Sequence, residues 1–83
     1  MVHYNDINFN GVKYRTLCVY WKRIGKYINF AENALSDVLY PNGNYINDYA
    51  RHIDEQFYGY VNFDELKGLD DKQVIKYLEK TFS

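Results

Sequence analysis

The stretch Ile7-Asn8-Phe9-Asn10-Gly11-Val12-Lys13-Tyr14 constrains the fold of this chain more than any other. A two-residue hairpin loop of type I′ needs positive φ at both central positions, and Asn-Gly is the pair that adopts them most readily. Apolar residues alternate on either side of it. A loop of that length sets the register: Phe9 faces Val12, Ile7 faces Tyr14 and Asp6 faces Arg15, so the apolar partners share one face. Extending the second strand puts Val12, Tyr14, Thr16, Cys18 and Tyr20 on that face, with Val12, Tyr14, Cys18 and Tyr20 expected to point at the core. Lys13, Arg15, Leu17, Val19 and Trp21 fall on the other face. This second face begins charged and ends apolar, which predicts that the far half of the strand is central in the sheet or covered on both sides.

Arg23-Ile24-Gly25-Lys26 then turns the chain into a third strand, over residues 26–29. Asn29-Phe30-Ala31-Glu32 has the form of a helix start, with Asn29 as cap and Glu32 at the third helical position. Phe30, Ala34, Leu35, Val38 and Leu39 follow a helical stripe to about Tyr40, where Pro41-Asn42-Gly43 breaks it. A second helix is expected over 45–55, with Ile46, Tyr49, Ala50 and Ile53 inward. Phe57 to Val61 reads as a short strand in which Gly59 marks a bulge or a close backbone contact. Asn62-Phe63-Asp64-Glu65 repeats the capping pattern for a single turn that Gly68 closes. Asp70 caps a last helix, Gln73 reaches back to it, and Val74, Ile75, Leu78 and Phe82 form its apolar stripe. The order of elements predicts one α+β domain over residues 1–83: a small antiparallel sheet, made of the N-terminal hairpin plus one or two further strands, with about three helices packed mainly on one face.

Catalytic and metal chemistry find little support. His3 and His52 fall on different elements with no neighbours that would tune them. One cysteine and two scattered histidines do not make a zinc site. Asp64, Glu65, Asp70 and Asp71 miss the alternate-position oxygen pattern of a calcium loop, and helix capping accounts for two of them. No Gly-rich phosphate loop is present, and no pair of carboxylates stands out for glycoside chemistry. The chain is therefore expected to be non-enzymatic and to need no cofactor. The single cysteine, Cys18, excludes an internal disulfide, and its apolar surroundings suit a buried thiol. The first residues lack the apolar core of a secretory leader, and no apolar run reaches the ~18–20 residues that span a bilayer. A soluble cytoplasmic protein is the expectation. Abundant Asn, Ile, Lys and Tyr, all with AT-rich codons, fit a low-GC bacterium, a phage or a mobile element.

The positive signal lies in residues 12–27. Lys13, Arg15, Lys22, Arg23 and Lys26 are interleaved there with Tyr14, Tyr20, Trp21 and Tyr27, and no acid interrupts them. Residues 1–27 hold five cations against one acid, whereas residues 28–83 hold five against ten. Tyr, Trp and Arg are the residue types that concentrate at interaction hot spots. Ten tyrosines also exceed what one small core can bury with every hydroxyl satisfied. These features point to a small binding protein that engages a protein partner through a basic-aromatic patch, with Arg15, Trp21, Lys22, Arg23, Lys26 and Tyr27 as its candidate residues. Two alternatives share the composition. In one, the same cations track phosphates while Trp21, Tyr14 or Tyr27 stack on unpaired bases of single-stranded nucleic acid; a pI near 6.0 argues against it. In the other, the acidic C-terminal half inhibits a host enzyme for a phage or mobile element. A homodimer through a Tyr-rich sheet edge is compatible with all three.

Overall fold

Asn10 and Gly11 take up φ of +53° and +81°, and the predicted hairpin follows in its predicted register. Strands β1 (Val2–Phe9) and β2 (Val12–Trp21) pair antiparallel with Phe9 opposite Val12, Ile7 opposite Tyr14 and Asp6 opposite Arg15. The computed structural model describes all residues, 1–83. Strand β3 (Lys26–Glu32) continues the antiparallel meander, and β4 (Gly59–Val61) completes a four-stranded sheet in the order β1-β2-β3-β4. β4 runs parallel to β3. Between them the chain forms α1 (Asn33–Leu39) and α2 (Asp48–Asp54) and so re-enters the sheet in the same direction. A 3₁₀ turn (Phe63–Leu66) and α3 (Asp71–Thr81) follow. The fold is a small α+β domain with a mostly antiparallel sheet and three helices.

The main departure from the sequence expectation is at Asn29, which does not cap a helix. The strand runs on to Glu32 because Phe30 and Ala31 are each worth more in the sheet. Phe30 sits opposite Leu17 on one face and Ala31 opposite Thr16 on the other, and both are fully buried. Burial of that kind outweighs a local capping pattern. Glu32 becomes the N-cap of α1 without making a side-chain cap bond. Its carboxylate turns back instead, accepting the backbone N–H of Arg15 at 2.6 Å. The side chain thus extends the β2 ladder one step past the last β2–β3 pair, Thr16 with Ala31.

α2 starts later than expected, at Asp48, where the Asn47 side chain accepts the N–H of Ala50 at 2.8 Å. Ala50 and Ile53 are buried as predicted, whereas Ile46 and Tyr49 are exposed. The close contact foreseen at Gly59 is real: a Cβ there would lie 2.3 Å from Cε1 of Phe82. Asp70 and Gln73 form the predicted capping box at the start of α3, each side chain accepting from the other's backbone N–H at 2.9 Å.

The sheet carries a core on each face. Leu17, Val19, Trp21, Ile28 and Phe30 pack under Val74 and Leu78 of α3 and under Phe63 and Leu66. On the opposite face Phe9, Tyr14 and Ala31 pack under Leu35 and Leu39 of α1 and Ala50 and Ile53 of α2. The core-facing assignment of β2 is therefore corrected. Tyr14 and Thr16 are buried, but Val12 and Tyr20 are exposed and Cys18 is half-buried, while Leu17, Val19 and Trp21 are the deeply buried residues. The alternation of side chains was read correctly; what changes along β2 is which face is covered by helices.

Candidate binding surface

α1 and α2 cover only one end of their face. Beyond Thr16 and Ala31 the face is open, and the strand registers place two cross-strand rows on it: His3, Cys18 and Asn29, then Tyr20 and Tyr27. His3, Asn29, Tyr20 and Tyr27 are all exposed, Tyr20 by 43% and Tyr27 by 62%. The two tyrosine rings meet edge to face with centroids 5.3 Å apart. Such a pair presents a rigid, largely apolar platform at low entropic cost, with hydroxyl tips at its rim.

The β2–β3 turn borders this platform. The Trp21 carbonyl accepts the N–H groups of Ile24 (3.2 Å) and Gly25 (2.9 Å), and Gly25 takes a φ of +69° to close the loop. Lys22, Ile24 and Lys26 project into solvent around it. Neither lysine forms an ion pair; the ion pairs of the protein belong to Arg15, Arg51 and Lys67.

The six predicted residues divide into two groups. Lys22, Lys26 and Tyr27 are exposed and uncommitted. Trp21 is not a surface anchor: only 2% exposed, it packs its indole against Phe30 and Tyr58, with centroids 5.8 and 5.9 Å away. It stands on the α3 face, where the helix covers it, and not on the open face. Arg15 and Arg23 are exposed but occupied. Arg15 donates from Nε to Glu32 at 2.9 Å, lies 3.7 Å from Asp64 and sits 5.3 Å over the Phe63 ring. Its hydrogen bond to Glu32 and the charges of Glu32 and Asp64 raise its pKa further. Arg23 donates to the Phe82 carbonyl at 3.0 Å, past the C-terminal end of α3, and lies 5.8 Å over Trp21. These two arginines fasten the 3₁₀ turn and the last residues of α3 to the sheet.

The structure adds residues that the N-terminal stretch alone did not indicate. Tyr20, expected in the core, is half of the exposed pair. Lys72 and Lys76 of α3 share with Lys22 and Tyr20 a cleft of about 530 Å³, whose wall also includes Met1 and Ile75. Their i, i+4 spacing was visible in the sequence, but the packing that turns this side of α3 toward the β2–β3 turn was not.

The acids of the C-terminal half are mostly engaged internally. Asp54 accepts from the hydroxyls of Tyr45 and Tyr60, Glu65 from that of Tyr77, and Asp71 from the Val2 N–H at 3.1 Å. Burial, reinforced by the bond to Asp54, pushes the Tyr60 phenol well above its usual pKa, and the bond to Glu65 raises that of Tyr77. Asp64 pairs with Arg15 and Lys67. No three His, Cys, Asp or Glu side chains come together in a way that could hold a metal ion. No helix is long and apolar enough to cross a membrane. No protein-family model, curated protein or solved structure matches the chain.

Proposed function

We propose that this is a non-enzymatic binding protein whose partner is another protein, engaged through the open half of the sheet and the β2–β3 turn. The observation that carries the reading is the exposed Tyr20–Tyr27 pair standing beside the unpaired Lys22 and Lys26. Tyrosines flanked by cations, next to an exposed aliphatic tip at Ile24, have the make-up of an interaction hot spot with a charged rim. The rim selects for an acidic partner surface. The same reading sets the protein in the cytoplasm, where the half-buried, unpaired Cys18 beside the tyrosines stays reduced.

The test is site-specific photo-crosslinking from a benzophenone side chain placed at Tyr27, in lysate of the native host. A discrete adduct that is lost when Lys22→Glu and Lys26→Glu are introduced together supports the reading. Adducts unaffected by the charge reversal, or no adduct at all, would refute it. Single-stranded nucleic acid is the second reading, favoured by one feature: two exposed aromatic rings on adjacent strands can stack successive bases. It predicts binding of oligothymidylate that weakens steeply with salt. The acidic-surface inhibitor reading draws less support, because most of those carboxylates already serve internal bonds.

A further inference from the structure

The cleft between the β2–β3 turn and α3 has a chemistry of its own. Three lysines border it, Lys22 from the turn and Lys72 and Lys76 from one side of α3, and none forms an ion pair. Its apolar wall comes from Met1, Tyr20 and Ile75. Asp70 and Glu79 also border it, so the three ammonium groups outnumber the carboxylates by one. Of those two acids Asp70 is already occupied, holding the N–H of Gln73 as the α3 cap. The volume, about 530 Å³, is in the range of clefts that enclose a ligand group. Tyr20 borders both this cleft and the exposed tyrosine pair.

We infer that the cleft is the anchor subsite for an acidic peptide segment of the partner, one that carries a bulky apolar side chain next to its carboxylates. The inference rests on the reading above and specifies which part of the partner is held. The three lysines match the carboxylates, and the wall of Met1, Tyr20 and Ile75 matches the apolar side chain. The remaining polar groups choose between polyanions. Glu79 and the free carboxylate oxygen of Asp70 can accept the backbone N–H groups that every peptide offers. A continuous run of phosphates offers no donors there and is repelled by both acids.

The experiment is a titration of ¹⁵N-labelled protein with a synthetic peptide alternating Glu with Phe and Leu, run beside a peptide with Gln in place of Glu and beside oligothymidylate. The expected result is shifts at Tyr20, Lys22, Gln73 and Lys76 with the acidic peptide, and weakening of about tenfold when Lys72→Glu and Lys76→Glu are combined. Lys72→Gln with Lys76→Gln, which removes the two charges without reversing them, should weaken it by less. Both pairs lie on solvent-exposed positions, and far-UV circular dichroism verifies that they fold. Shifts confined to other surfaces, or equal binding of the Gln peptide, would overturn the inference. So would tighter binding of oligothymidylate at the same residues. If the Tyr27 cross-link survives the α3 reversals yet is lost on reversing Lys22 and Lys26, the cleft assignment fails while the protein-binding reading stands. If neither reversal affects it, the reading itself has failed.

Discussion

Glu32 makes one bond that a sheet normally makes with its backbone, and removing it has a calculable cost. In Glu32→Ala the N–H of Arg15 loses a carboxylate acceptor at 2.6 Å. A hydrogen bond to a charged group contributes about 1.5–3 kcal/mol, and the lower end applies where water can reach the orphaned donor. Arg15 is such a site, its side chain 48% exposed against 16% for Glu32. Loss of the partly solvated ion pair adds about 0.5 kcal/mol. The total, about 2 kcal/mol, corresponds to a fall in Tm of roughly 8–16 °C in a domain of this size. Arg15→Ala costs about 1–1.5 kcal/mol by a different route: it removes the ion pairs to Glu32 and Asp64 and the stacking on Phe63, but keeps the backbone N–H. The two losses overlap only in the ion pair, so a double-mutant cycle should give a coupling of about 0.5 kcal/mol. Glu32→Gln retains an acceptor oxygen and should recover about half of the Glu32→Ala loss. Urea unfolding followed by tryptophan fluorescence and far-UV circular dichroism measures the wild type and all four variants. If Glu32→Ala costs nothing once Arg15 is Ala, the carboxylate acts only through the guanidinium and the ladder-extension argument is wrong.

Three further outcomes are expected. Gly59→Ala should destabilise by about 1–3 kcal/mol, because the new methyl meets the Phe82 ring; in a Phe82→Ala background most of that penalty should vanish, and a penalty unchanged there would place the strain elsewhere. Tyr60, Tyr45 and Tyr77 hold their protons more tightly when folded than when unfolded. Their contribution is therefore complete below the ordinary tyrosine pKa of about 10 and is lost as pH rises above it, so alkaline unfolding should coincide with a tyrosinate absorbance step. Full tyrosinate absorbance in a still-folded protein would contradict this. Cys18, on the open half of the sheet, should react with a thiol reagent in the native state, at a rate that Tyr27→Trp lowers by shading the row beside it; a thiol that reacts only on unfolding would mean that this face is covered.

The sequence was most legible where one local interaction decides the outcome. Asn10-Gly11 determined a turn and a register, and Asp70 with Gln73 determined a helix start, because each signal is closed within a few residues. It misled where a local signal competed with burial, as at Asn29, where Phe30 and Ala31 drew the chain into the sheet. The candidate surface was half legible. Alternation along β2 separated Tyr20 from Trp21, but which side is the interior depends on where α1, α2 and α3 dock. That information lies more than ten residues away in the chain. The same distance concealed that Arg15 and Arg23 would be taken up by Glu32 and by the Phe82 carbonyl, and that Lys72 and Lys76 would arrive next to Lys22.

The two cores also differ in when they can be completed. Synthesis delivers β1, β2, β3, α1 and α2 in order, so the buried residues of the core beneath α1 and α2 are all present once residue 54 has emerged. Leu17, Val19, Trp21 and Phe30 must wait for Val74 and Leu78, which belong to α3 and come later in the chain. For that interval the nascent protein carries a bare, strongly apolar sheet face, the state in which chaperones bind and neighbouring chains stick. The contacts of Phe82 with Gly59 and of Asp71 with the Val2 N–H then fasten α3 and the residue after it to β4 and β1. Removing α3 should therefore leave an uncovered apolar sheet face that aggregates.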